Sequence, residues 1–234
     1  MKNSRPYSAA EVSVIILAAG HGTRMKPLTD DTPKPLLKVG NHSLIEHHLI
    51  KLKSSGFQNI IINTAYLGHK IQAHLGNGKD YGLKISYSDE SETGALETAG
   101  GIKKSLNLIN SEVFLVINAD VYTDFNFSSL LELNTPKQGR LVLVPNPPHN
   151  RSGDFGVNCD LALDMTSSTT MTFSGISLYR KDMFDLIPEG KLALGPILKT
   201  LANQNQLDAL IYDGNWTDVG TPERLAKLNL KESQ

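Results

Sequence analysis

The stretch Val12-Ser13-Val14-Ile15-Ile16-Leu17-Ala18-Ala19-Gly20-His21-Gly22-Thr23-Arg24 decides how this chain folds. Its first six residues are almost all apolar and largely β-branched. Such a run predicts a strand buried on both faces, as in a parallel sheet. It leads straight into Gly20-His21-Gly22, with Arg24 close behind. A glycine turn after a buried strand can aim several backbone N–H groups into one concavity, which suits phosphate oxygens. No P-loop sequence is present, and Met25 stands where a dinucleotide fingerprint needs its third glycine. Taken alone, the turn is equally compatible with a tight βα connection that holds no ligand.

Working outward, residues 1–11 form a short polar lead-in, and 12–234 read as one domain with no linker. A Gly-, Pro- and Thr-rich loop runs to about Asn41. Leu44, Ile45, His48, Leu49 and Leu52 then recur at helical spacing, and Gly56 is a natural stop. Within that helix His48 is expected to face inward and His47 outward. Strands follow at 60–62, 84–87, 113–117, 140–144 and 209–212, with helices at 67–75, 97–106 and 192–202. Thr221-Pro222 suits the N-cap and first position of a final helix. Residues 155–179 carry β-rich pieces without crossover helices and predict a local antiparallel or mixed region. The alternation elsewhere predicts an α/β fold with a mainly parallel sheet flanked by helices.

Composition excludes several classes. Of 234 residues, 23 are Lys or Arg and 24 are Asp or Glu, a net charge of −1 that does not favour nucleic-acid binding. The longest apolar run, 14–19, falls far short of the roughly 18 residues needed to span a bilayer. The N-terminus has no apolar core of a secretory leader. The single Cys159 cannot form an internal disulfide, and no Cys/His spacing suggests zinc. A cytoplasmic protein with no membrane or nucleic-acid partner is expected, as a monomer or small homo-oligomer.

Residues 17–25, with Pro27-Leu28-Thr29 and Pro33-Lys34-Pro35-Leu36-Leu37, resemble the signature of the sugar-1-phosphate nucleotidyltransferases. The likeness continues in family order through 63–68, 96–101, 118–124, 172–176 and Trp216-Thr217-Asp218-Val219-Gly220-Thr221. It implies a Rossmann-like fold with a small β-rich sugar-binding part. It also implies transfer of a nucleotidyl group from UTP or another NTP to a sugar 1-phosphate. The residues suit that chemistry. Arg24 offers a planar fork to the β- and γ-phosphates. Lys34 is set between prolines that restrict the backbone and limit the entropy lost in aiming its ammonium. Asp120 ends a strand, where α/β sheets bind ligands.

By position, the resemblance implies catalytic roles for Arg24, Lys34 and Asp120. It implies a Mg²⁺ ion shared by Asp120 and Asp218, since such an ion needs only one or two carboxylates when phosphates supply other ligands. It places the nucleotide near Leu17, Ala18, Ala19, Gly20, Gly22, Thr23, Glu90, Ala99 and Gly100. Ala18 and Gly20 would touch base and ribose through their backbone. The sugar would lie near Asn118, Asp154, Ser174 and Gly175. Segment 146–155 is similar to family members that act on N-acetylmuramate 1-phosphate in cell-wall recycling, and Arg151 offers a guanidinium for that sugar's lactyl carboxylate. Mannose-1-phosphate guanylyl transfer, or uridylyl or thymidylyl transfer to glucose 1-phosphate, is the alternative. Ala99 and Ala119 stand where glycine is expected, and either methyl would trim the pocket.

Overall fold

Val14, Ile15 and Ile16 are fully buried because their strand lies inside the sheet, with a parallel neighbour on each side. The computed structural model describes residues 7–132, 137–158 and 162–232. Residues 1–6 of the lead-in and Cys159 lie outside the described residues. In chain order the strands are β1 (Ser13–Leu17), β2 (Lys38–Val39), β3 (His42–Ser43), β4 (Asn59–Thr64), β5 (Lys84–Asp89) and β6 (Val113–Asn118), followed by β7 (Val121–Thr123), β8 (Gly139–Val144), β9 (Phe155–Gly156), β10 (Thr170–Arg180), β11 (Leu207–Ile211) and β12 (Trp216–Asp218). The helices are α1 (Leu44–Ser54), α2 (Gly68–Leu75), α3 (Glu97–Ser105), α4 (Leu194–Asn203) and α5 (Pro222–Glu232).

The main sheet runs β11-β8-β10-β6-β1-β4-β5, with β9 added beside β10. Strands β6, β1, β4 and β5 run parallel to one another. Strand β10 is antiparallel to both β6 and β8, and β11 is again parallel to β8. The sheet is therefore mixed, mostly parallel, with a Rossmann-like parallel half. The β-rich segment pairs antiparallel, as its sequence suggested. Its long strand β10 is inserted into the main sheet, and only β9 and the Val157–Leu163 bridge lie beside it.

Alternation along β1 sets the two layers. Val14 and Ile16 join the core with Ile45, Leu49 and Leu52 of α1, whereas Ile15 joins the opposite one with Ile102 of α3 and Leu198 of α4. Each such side chain contributes roughly 1.5–3 kcal/mol through burial. His48 faces the core beside Phe127, and burial pushes its imidazole down to about 4. It is therefore neutral near pH 7. His47 is half-buried, with its Nε2 2.9 Å from the Val39 carbonyl oxygen. The glycine-rich loop is more ordered than its composition suggested, holding two short 3-10 turns and the β2–β3 hairpin.

Register brings the ends of three strands level. Leu17 lies opposite Asn63 on β4 and Asn118 on β6. The carboxyl edge of a parallel sheet is where such folds bind ligands.

Candidate active site

An open cleft of about 370 Å³ lies at that edge. Leu17, Ala18, Ala19, Gly20, Gly22, Thr23, Arg24, Lys34, Glu90, Asn118 and Asp120 all line it. Gly22 adopts φ 62° and ψ 28°, a left-handed turn that costs glycine little. A Cβ there would lie 3.1 Å from the Thr29 methyl carbon, and Thr29 Oγ1 donates to the Gly22 carbonyl at 2.9 Å. The turn is thus held from beneath. Among the described residues, no protein acceptor takes the amides of residues 20–24. Consecutive free N–H groups in a concavity form an anion cradle. Arg24 is exposed at its rim.

Lys34 opens a 3-10 turn after Pro33, and its ammonium forms an ion pair with Asp120 Oδ2. Two distant aspartates meet through a two-stranded ribbon. Asp218 on β12 pairs with Val121 on β7, and the Val219 amide donates to the Asp120 carbonyl at 2.8 Å. Asp218 Oδ1 lies 2.6 Å from Arg224 Nη1 and 2.9 Å from His149 Nε2. Neither approach has hydrogen-bond geometry, so this buried oxygen has no hydrogen-bond partner among the described residues. The two backbones are close, but the Asp120 side chain lines the first cleft and the Asp218 side chain the neighbouring one. A hard oxygen without a hydrogen-bond partner suits a magnesium ion that draws its other ligands from phosphate and water. No group of three metal-ligating side chains occurs among the described residues, so phosphate would have to complete the shell.

Glu90 supports the cleft rather than facing a ligand freely. It is fully buried, accepts from Asn63 Nδ2 at 2.8 Å and accepts from the Leu96 amide at 2.8 Å. Asn63 Oδ1 in turn accepts from the Ala18 amide at 2.7 Å. Asn63 thus occupies the Ala18 N–H, which leaves the Ala18 carbonyl for the expected backbone contact. Asn63 itself lines the cleft and was not among the expected site residues. Its signals were its place at a strand's C-terminal end and at the head of the 63–68 segment.

Ala99 and Gly100 do not reach the cleft. Their amides donate to the Leu192 carbonyl at 2.9 and 3.2 Å, and a Cβ on Gly100 would lie 2.1 Å from the Gly190 oxygen. Ala95, Glu97 and Thr98 line that wall in their place, with Glu97 in the left-handed region at φ 59°. The Ala99 methyl points into the core, while Ala119 does line the cleft.

The expected sugar residues form an adjoining group. Gly175 sits in a register break of β10 between Phe173 and Ser177, with φ 78° and its Cα against the Asn118 side chain. The Ser174 carbonyl accepts from Trp216 Nε1 at 2.9 Å. Asp154 is committed elsewhere: its Oδ2 accepts from the Phe173 amide at 2.8 Å and its Oδ1 from Asn150 at 3.2 Å. It pins the 146–154 loop to β10. Arg151 is exposed and lines neither this cleft nor the neighbouring one around Trp216 and Asp218.

The nucleotidyl transferase family profile matches residues 13–160. The chain belongs to the nucleotidyl transferase family. An N-acetylmuramate alpha-1-phosphate uridylyltransferase of Neisseria meningitidis is 45% identical over 221 residues, covering 92% of this chain and 95% of that protein. The enzyme of the same description from Caulobacter vibrioides is 29% identical over 230 residues, covering 92% and 95%. A Bacillus anthracis structure, provisionally named a glucose-1-phosphate thymidylyltransferase, superposes with a TM-score of 0.82 at 24% identity over 94% of each chain. That last likeness speaks for the fold alone. Among the described residues of this nucleotidyl transferase, no helix is long and apolar enough to cross a membrane.

Proposed function

We propose that this enzyme transfers a uridylyl group from UTP to N-acetylmuramate 1-phosphate. The observation that carries the transfer chemistry is the meeting, in one cleft, of a free-amide cradle and Arg24 with the Lys34–Asp120 pair. The likeness to the Neisseria enzyme supports the choice of base and sugar. A phosphate oxygen of the sugar 1-phosphate attacks the α-phosphorus of the triphosphate. A new P–O bond forms, the bond from the α-phosphorus to the bridging oxygen breaks, and pyrophosphate leaves with that electron pair. No covalent enzyme intermediate is needed. Such a reaction asks for positioning and charge neutralisation.

Each residue has a place in that scheme. The amides of 20–24 and Arg24 hold the β- and γ-phosphates. The Lys34 ammonium, aimed by its ion pair, neutralises charge at the reacting phosphoryl group. Asn63 and Glu90 fix the strand ends on which base and ribose rest. Asp120 and Asp218 would hold Mg²⁺, which supplies further neutralisation of phosphate charge. In this reading the product enters cell-wall recycling in the cytoplasm.

Pyrophosphate release with Mg²⁺ tests the proposal. UTP, GTP, CTP, ATP and dTTP are each paired with the 1-phosphates of N-acetylmuramate, mannose, glucose and N-acetylglucosamine. A dominant signal for UTP with N-acetylmuramate 1-phosphate is expected. A dominant signal for GTP with mannose 1-phosphate would keep the chemistry and overturn the substrates. Silence from folded protein would overturn both.

A further inference from the structure

A second cleft of about 550 Å³ lies between segment 147–149 and helix α5, and of the residues given roles above only Asp218 lines it. We propose that it is a subsite for a carboxylate carried by the sugar 1-phosphate, with Arg224 as the residue that reads it. The proposal rests on the reading of the chain as a sugar-1-phosphate nucleotidyltransferase.

The charge in the cleft argues for an anion. Arg224, Lys227 and Lys231 line it, and their i, i+3, i+7 spacing sets them on one face of α5. Against these three cations stands one carboxylate, Asp218. Neither Lys227 nor Lys231 has an ion-pair partner among the described residues, and both are exposed. Arg224 is different, because its side chain is only 19% exposed. A partly buried guanidinium gives its fork a fixed aim, and the fork matches a carboxylate better than an ammonium does.

The wall chemistry argues for a sugar. Pro147 and Trp216 line the cleft, and Trp216, partly buried against the core, is anchored through its bond to the Ser174 carbonyl. An anchored aromatic offers a sugar ring a flat apolar face at little entropic cost. Location argues for the same substrate. Gly220 lines the phosphate cleft, while Asp218 and Thr221 line this one. One short segment is thus the shared wall, and a sugar phosphate at the Asp120 end would extend a substituent across it.

The Arg224–Asp218 contact does not exclude such a role. Its contacts to Asp218 Oδ1 at 2.6 Å and His149 Nε2 at 2.8 Å both run through Nη1, so Nε and Nη2, which have no partner among the described residues, remain for a new anion. Arg151, the guanidinium the sequence offered for this purpose, lines neither cleft.

Calorimetric titration tests the subsite with two matched pairs of probes. They are N-acetylmuramate 1-phosphate against N-acetylglucosamine 1-phosphate, and glucuronate 1-phosphate against glucose 1-phosphate. The wild-type chain should bind the acidic member of at least one pair about 10- to 100-fold more tightly, the range of a charge-assisted hydrogen bond. Arg224→Ala should bring that ratio to within about threefold of one, and Arg224→Lys should keep part of it. Lys227→Ala with Lys231→Ala, on the exposed face of the helix, should weaken the acidic probe by about two- to fivefold and flatten its salt dependence. This pair and Arg224→Lys keep the test decisive if Arg224→Ala does not fold. Equal affinity within both pairs, no binding of either acidic probe, or an acidic preference that survives Arg224→Ala would overturn the proposal. Pyrophosphate release on the same proteins separates the two readings. Acidic preference without turnover leaves the subsite standing and removes the transferase reading. Turnover without acidic preference does the reverse.

Discussion

The two ends of the site are built in opposite ways. The phosphate end is one continuous stretch, residues 17–36, folded on itself. Gly22 meets Thr29 and Lys34, and the free amides, Arg24 and Lys34 all come from within it. The end proposed for the metal and sugar is assembled from β6, β7, β10, β12, α5 and the 146–154 loop, segments spread over more than a hundred residues. A local loop can be specified by its own turn residues. An assembled corner exists only when the whole sheet is in register. The first should tolerate distant change, and the second should fail whenever any of its distant pieces moves.

The sharpest test of that contrast uses one residue from each side of the ribbon. Asp120→Asn and Asp218→Asn should each lower turnover by about 10³-fold or more, or about 4 kcal/mol of transition-state stabilisation, while circular dichroism shows folded protein. Equal losses would mean that the ribbon joins them into one unit. A loss in only one variant would break the pairing. Next in size, Lys34→Ala should lower kcat by about 10²-fold for every base and sugar tried, with smaller changes in KM. A loss confined to one sugar would place Lys34 with the assembled corner instead.

Legibility in the sequence follows the same division. Strand β1, the glycine turn, Arg24 and Lys34 were readable because period, turn residues and motif are all local. The ends of β4 and β6 were readable as strand termini. The convergence of Asp120 and Asp218 was not, because it depends on the β7–β12 pairing across almost a hundred residues. Strand β10 was legible as β but not as a member of the main sheet, since an antiparallel insertion leaves no mark in hydrophobic period. Ala99 and Gly100 show a related limit: nothing local in the sequence marks the Gly190–Leu192 backbone as the neighbour packed against them. Asp154 and Glu90 show the same limit: a carboxylate in the right motif is spent on backbone amides. Arg224 lies outside the motifs read in the sequence, His149 lies in segment 146–155 with no role attached, and only the fold brings them to Asp218.

Asn63 stands between the two ends, and its removal gauges how far the phosphate loop depends on the sheet. Asn63→Ala leaves the Ala18 amide and Glu90 Oε1 without their partners in a buried place. A cost of about 2–3 kcal/mol is expected. For a chain of this size that lowers Tm by several degrees, at about 2–4 °C per kcal/mol. Asn63→Asp should be worse, since it replaces the amide that donates to Glu90 by a second carboxyl group facing it in a buried place. Thermal melts of both variants check the order. If Asp were tolerated as well as Ala, the Asn63–Glu90 contact would not be the link.

The smallest expected effect is the most specific to the assembled side. Gly175 holds φ 78°, and an added Cβ would come within 2.6 Å of Asn118 Nδ2. Gly175→Ala therefore strains the backbone by about 1 kcal/mol and pushes a cleft-lining side chain that lies far away in sequence. The sheet itself should hold, because the register of β10 is already broken at this point and the change adds no new shift. The consequence should appear in KM for the sugar 1-phosphate, raised about 5- to 10-fold, with KM for the triphosphate within twofold of wild type. That split follows only if Asn118 and Gly175 belong to the sugar side while residues 17–36 hold the nucleotide independently. Equal rises in both constants would show that the two ends are one mechanical unit. The contrast in how they are built would then have no counterpart in how they bind.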